Sequence, residues 1–99
     1  IKLSGQIYDA LTYEGIPDAT LIVLNPGVDQ DQWLNSPTET DIYSTATTDK
    51  EGNYTTPEKL ERGVEYPIVV SAEGYYPFAF TWRIGLTDDG ALYVSLEPR

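Results

Sequence analysis

Three oxygen-bearing side chains, Asp49, Glu51 and Asn53, alternate with Lys50 and Gly52, a spacing that offers hard ligands of the kind calcium takes on a short loop. The run lacks a distal bidentate glutamate, and Lys50 sits in its middle. The same residues are what a tight turn selects, because short polar side chains bond their own backbone there. The reading is therefore a turn with no bound metal, and Asp49, Glu51 and Asn53 are the residues that would carry an ion if one were held. A second acidic set, Asp29, Asp31, Glu39 and Asp41, has the composition of a solvated loop. Catalysis has few candidates, since the chain contains no histidine and no cysteine, which removes imidazole bases, thiolate nucleophiles and nearly all zinc sites. A carboxylate pair for glycoside cleavage needs a defined separation across a cleft, for which a 99-residue chain has little room. The expectation is no catalytic residue and no cofactor.

Aromatic residues make up 12% of the chain and raise carbohydrate binding as a further possibility, since flat apolar rings serve as platforms for sugars. Tyr76, Phe78, Phe80 and Trp82 share one strand face, however, where a core takes them first. Trp33, Tyr43, Tyr75 and Tyr13 lie in or beside loops and are the candidates for an exposed interaction patch.

Sixteen acidic against six basic residues leave a net charge of −10, which repels phosphate backbones and anionic lipid surfaces. Nucleic acid and membrane insertion are thus not expected, and a neutral or basic protein surface is. No run reaches the ~20 apolar residues of a membrane span, and Ile1 to Gly5 has no signal-peptide anatomy. With no methionine, the chain is expected to be a single domain, residues 1–99, excised from a longer polypeptide.

The elements that must position these residues are short and alternate with period two between Gly and Pro clusters, which predicts an all-β domain. Strands are expected at Leu3 to Tyr8, Ala19 to Leu24, Ile42 to Thr48, Tyr54 to Thr56, Glu65 to Ala72, Tyr76 to Ile84 and Leu92 to Leu96. Seven strands at this spacing point to a two-sheet, Greek-key sandwich, with an open barrel as the alternative. Its predicted core includes Leu3, Ile7, Leu21, Val23, Ile68, Val70, Phe78, Phe80, Leu92 and Val94. Ala19 to Leu24 is apolar on both faces and needs cover on its outer side. A short helical insertion between strands two and three, capped by Asp29, is expected to lay Trp33 and Leu34 over Ile22 and Leu24.

The punctuation Gly5-Gln6-Ile7-Tyr8-Asp9, Gly15-Ile16-Pro17-Asp18-Ala19, Thr48-Asp49-Lys50-Glu51-Gly52-Asn53-Tyr54, then Tyr66 and Val69 to Tyr75, resembles that of carboxypeptidase regulatory-like domains, which have the transthyretin-like or prealbumin-type sandwich. The insertion beginning Leu24-Asn25-Pro26-Gly27-Val28 is similar to a subgroup found at the C-terminal end of bacterial trypsin-like serine proteases. The resemblance implies a non-catalytic accessory module in an extracytoplasmic, secreted or cell-surface setting. Its expected partner is a neighbouring domain of the same chain or another protein, with carbohydrate binding by loop aromatics as the alternative.

Overall fold

Alternation sorts the residues as expected in a computed structural model that describes residues 1–99. The strands are β1 (Ser4–Asp9), β2 (Thr20–Leu24), β3 (Ile42–Thr47), β4 (Asn53–Thr55), β5 (Glu65–Ser71), β6 (Phe78–Arg83) and β7 (Val94–Leu96). One helix, α1 (Gln30–Asn35), and a 3-10 turn (Glu39–Asp41) lie between β2 and β3. Two sheets result, one ordered β4-β1-β7 and the other β3-β2-β5-β6. All pairs are antiparallel except β1 with β7, which run parallel with Ile7 opposite Val94 and Asp9 opposite Leu96.

Leu3, Ile7, Leu21, Val23, Ile68, Val70 and Val94 are buried between the sheets, joined by Ile16, Leu60, Tyr66 and Ile84. The outer face of β2 also needs cover, and α1 provides it. Asp29 accepts the Gln32 N–H at 3.0 Å as the helix N-cap. Trp33 then packs with Leu24 and Val69 into a second small core flanked by Ile22, Val28 and Ile42. The Trp33 indole N–H donates to the Thr38 carbonyl at 3.0 Å, which satisfies its polar edge. Leu34 departs from expectation: it remains 41% exposed, because a single short helix turns only one narrow stripe toward the sheet.

The glycines of the sequence punctuation serve close backbone crossings. A Cβ on Gly15 would lie 1.7 Å from the Glu51 carbonyl oxygen, and one on Gly52, whose φ is +81°, would lie 2.5 Å from that of Ile7. No other residue fits where β1, the 15–16 bridge and the 49–53 turn touch.

Three residues assigned to the core are not fully inside it. Phe78 is 48% exposed, while Phe80 and Leu92 are partly buried at the edge of the core. The cause is their place at the rim, since β6 and β7 are edge strands of different sheets and do not pair with each other. Tyr76 N–H bonds the Glu97 carbonyl, and Arg99 N–H that of Gly74, which joins the two sheets at one end. From that end the aromatic face of β6 grades from exposed Tyr76 to fully buried Ile84.

Candidate functional site

Between the unpaired edge strands β6 and β7 lies a groove of about 500 Å³. Phe78 and Phe80, two positions apart on one strand face, stack with ring centroids 5.3 Å apart and form one wall. Tyr8, Leu92 and Tyr93 line the opposite side, with Tyr76 and Pro77 near the zippered end. Ser95 and Glu97 add polar groups along β7.

Hydroxyl bonding divides the eight tyrosines of the chain into two sets. Those of Tyr43, Tyr54, Tyr66 and Tyr75 are tied to the Lys59 carbonyl, the Leu92 carbonyl, the Glu61 N–H and the Asp9 carboxylate respectively. The remaining four gather at one place. Tyr8, Tyr76 and Tyr93 line the groove, and Tyr13 packs on Tyr8 with centroids 6.2 Å apart. Tyr13 holds this position at φ 62°, a left-handed conformation that is costly for a bulky side chain. Strain of this kind collects where a side chain is needed for something other than packing.

The loop that carries Tyr13 is organised by Asp9. Its Oδ1 accepts the N–H groups of Leu11 at 2.7 Å and Thr12 at 3.1 Å. Its Oδ2 accepts the Tyr75 hydroxyl at 2.8 Å. The Tyr75 bond, followed by the two backbone bonds, holds the Asp9 carboxyl below its ordinary range. The same bond, followed by burial, pushes the Tyr75 phenol up. Arg99 closes this end of the site, with its Nε donating to the Tyr75 carbonyl at 3.1 Å and its guanidinium 5.5 Å from the centre of the Tyr76 ring.

The residues singled out by sequence fall in several places. Tyr13 and Tyr75 meet around Asp9. Trp33 is buried on the outer face of β2, only 7% exposed, and Tyr43 packs on Tyr66 with centroids 5.4 Å apart. Asp49 spends its Oδ1 on the N–H groups of Glu51 at 3.0 Å and Asn53 at 2.9 Å, closing the turn. Asp29 caps α1, and Asp41 accepts the Thr38 hydroxyl. The groove tyrosines Tyr8, Tyr76 and Tyr93 were not singled out as a site. Their only signal was that Tyr8 and Tyr93 fall on the outward phase of their strands.

No protein-family model and no curated protein matches the sequence. Solved structures do share the fold. Over 99% of this chain the fold is similar to that of 3-chlorocatechol 1,2-dioxygenase from Rhodococcus opacus 1CP, with a TM-score of 0.64 and 11% identity. Hydroxyquinol 1,2-dioxygenase from Pseudomonas putida DLL-E4 gives a TM-score of 0.61, also at 11% identity over 99% of the chain. The match spans 59% and 56% of those two chains.

These neighbours correct the reading from sequence. The carboxypeptidase regulatory-like and transthyretin-like assignment has no support, and the protease association and secreted setting inferred from it are left without support. The expectation of a non-catalytic accessory module falls too, because the chains that share this fold are enzymes. The carbohydrate alternative finds no counterpart among neighbours named for catechols and hydroxyquinol. The physical reason is that the recognised glycines and turn residues serve backbone crossings, as at Gly15 and Gly52, which any sandwich of this geometry needs.

Dioxygen chemistry calls for a metal or cofactor that handles the oxygen. The residues here do not fit a transition-metal centre built on imidazole or thiolate: the chain has neither histidine nor cysteine, and no three acidic side chains converge to hold an ion.

Proposed function

We propose that this domain binds a flat phenolic ring in the groove between β6 and β7. The observation that carries the reading is the sorting of the tyrosines: the hydroxyls of Tyr43, Tyr54, Tyr66 and Tyr75 are tied to protein groups, whereas Tyr8, Tyr76 and Tyr93, whose hydroxyls bond no protein group, line one largely apolar groove. Phe78 and Phe80 supply the aromatic faces against which a ring packs. Tyr8, Tyr93, Ser95 and Glu97 line the same groove and would supply the polar groups that bond ring hydroxyls. The fold neighbours, named for chlorocatechol and hydroxyquinol, support the same ligand class. A Greek-key ordering of the two sheets belongs to this reading as the frame that leaves β6 and β7 facing each other unpaired.

Titration with catechol and hydroxyquinol, followed by NMR shifts, tests the proposal. Saturable shifts confined to Tyr8, Phe78, Phe80 and Tyr93 are expected, with about tenfold weaker binding of cyclohexane-1,2-diol, which lacks the aromatic face. Phe80→Ala should reduce affinity similarly. Equal binding of the saturated diol, or shifts scattered over the surface, overturns the reading.

A further inference from the structure

Beyond ring binding, and on backbone pairing rather than on aromatic side chains, we infer that the free edge of β6 accepts an added strand: an extended peptide of another protein that alternates basic with apolar residues. The pairing pattern shows which groups are available. Ile84 N–H bonds the Val64 carbonyl, and the Ile84 carbonyl accepts the Gly63 N–H, so Ile84 turns its backbone groups toward the β5 side. Counting along the register in twos, Trp82, Phe80 and Phe78 bond β5 through Tyr66, Ile68 and Val70. Ala79, Thr81 and Arg83 therefore turn their N–H and C=O groups away from β5, and no strand lies on that side.

Natural sheets protect such an edge with a bulge, a proline, an inward charge or a covering segment. The six residues of β6 contain no proline and pair with β5 without a register shift. Cover is present only at the zippered end, where residues 97 to 99 bond residues 74 and 76. The opposite edge strand of this sheet, β3, differs, since its pairing with β2 carries a register irregularity at Val23 and Leu24.

The surroundings define the occupant. A strand laid beside β6 would alternate its side chains between the two faces of the sheet. Toward the interior they enter the groove of Phe78, Phe80 and Tyr93. Toward the exterior they meet a shallow depression of about 350 Å³ where Asp29, Asp31 and Glu65 gather around Thr81. The nearby cation Arg83 is already occupied by Glu65 at 3.9 Å and by the Gly63 carbonyl. One face thus asks for apolar side chains and the other for positive ones, in a chain whose net charge of −10 also disfavours a second copy.

The probe is a seven-residue blocked peptide alternating lysine with phenylalanine and valine, measured against the intact 99-residue chain. Binding should slow hydrogen exchange at the amides of Ala79, Thr81 and Arg83 and should weaken with salt. A scrambled peptide of equal composition and a glutamate-for-lysine version should bind at least about tenfold more weakly. Methylating one peptide nitrogen that faces β6 should cost about tenfold through the lost hydrogen bond. Thr81→Pro removes only an outward N–H and should lose binding with an unchanged circular dichroism spectrum; if it does not fold, the methylated peptide decides. Equal binding of the scrambled or methylated peptide, unprotected edge amides, or protection of the same amides by self-association overturns the inference. Failure of catechol to bind leaves it untouched, because the edge amides report on it directly.

Discussion

Ser44 is the one buried side chain whose oxygen finds no partner. It faces inward from β3 opposite Val23, where a hydroxyl brings desolvation cost without a hydrogen bond to offset it. Ser44→Ala is expected to stabilise the domain by about 1 kcal/mol, read as a higher denaturant midpoint at unchanged slope. Asp9 and Tyr75 set limits at the two ends of the pH scale. The Asp9 carboxyl sits below its ordinary 3.8, so its stabilisation is present above that pH and is lost as pH falls through the lowered value. The Tyr75 phenol sits above its ordinary 10.0, so its stabilisation is present below that pH and is lost as pH rises through the raised value. Tyr75→Phe should therefore lower the denaturant midpoint near pH 6, with the difference from the parent shrinking as pH falls toward 2. At this scale the sequence was legible where chemistry is local: the Asp49 turn and the Asp29 cap follow from residue type and spacing alone. Asp9 could not be read the same way, since its partner Tyr75 is 66 residues away.

Elements were the most legible scale, because period-two alternation is itself a burial record. A strand falls in each of the seven stretches that alternation marked, with ends shifted by up to two residues, and the two-faced character of β2 correctly called for the cover that α1 provides. Trp33→Ala should cost about 3 kcal/mol, since it leaves Leu24 and Val69 facing a cavity or water, and the loss should appear as a lowered denaturant midpoint. An unchanged midpoint would mean that α1 is only tethered to the sheet. Strand β6 shows where alternation stops informing. Phe78 and Ile84 share one face by register, yet one is 48% exposed and the other is fully buried. Periodicity reports the side of a strand on which a residue lies, not whether the opposing sheet covers it at that point. The groove lies where the edge strands β6 and β7 face each other unpaired, next to the contacts of residues 97 to 99 with residues 74 and 76.

For the whole molecule, composition excluded chemistry more effectively than it identified any, since the absence of histidine and cysteine is a fact about every possible site. Family was the least legible property. Glycines at backbone crossings recur wherever strands meet at this distance, and the fold they serve is shared with enzymes that are only 11% identical. The parallel pairing of β1 with β7 has a mechanical consequence. Force applied between the two ends of the chain pulls β1 and β7 in opposite directions along their own axes, so the hydrogen bonds from Ile7 opposite Val94 to Asp9 opposite Leu96 are loaded together instead of one after another. The antiparallel clasp of Arg99 on Gly74 and of Glu97 on Tyr76 lies in the same load path. Stretched end to end in single-molecule force spectroscopy, the domain should yield abruptly and at higher force than when it is pulled from Lys50 and Arg99, a geometry that loads the β1 and β7 ladder from one side only.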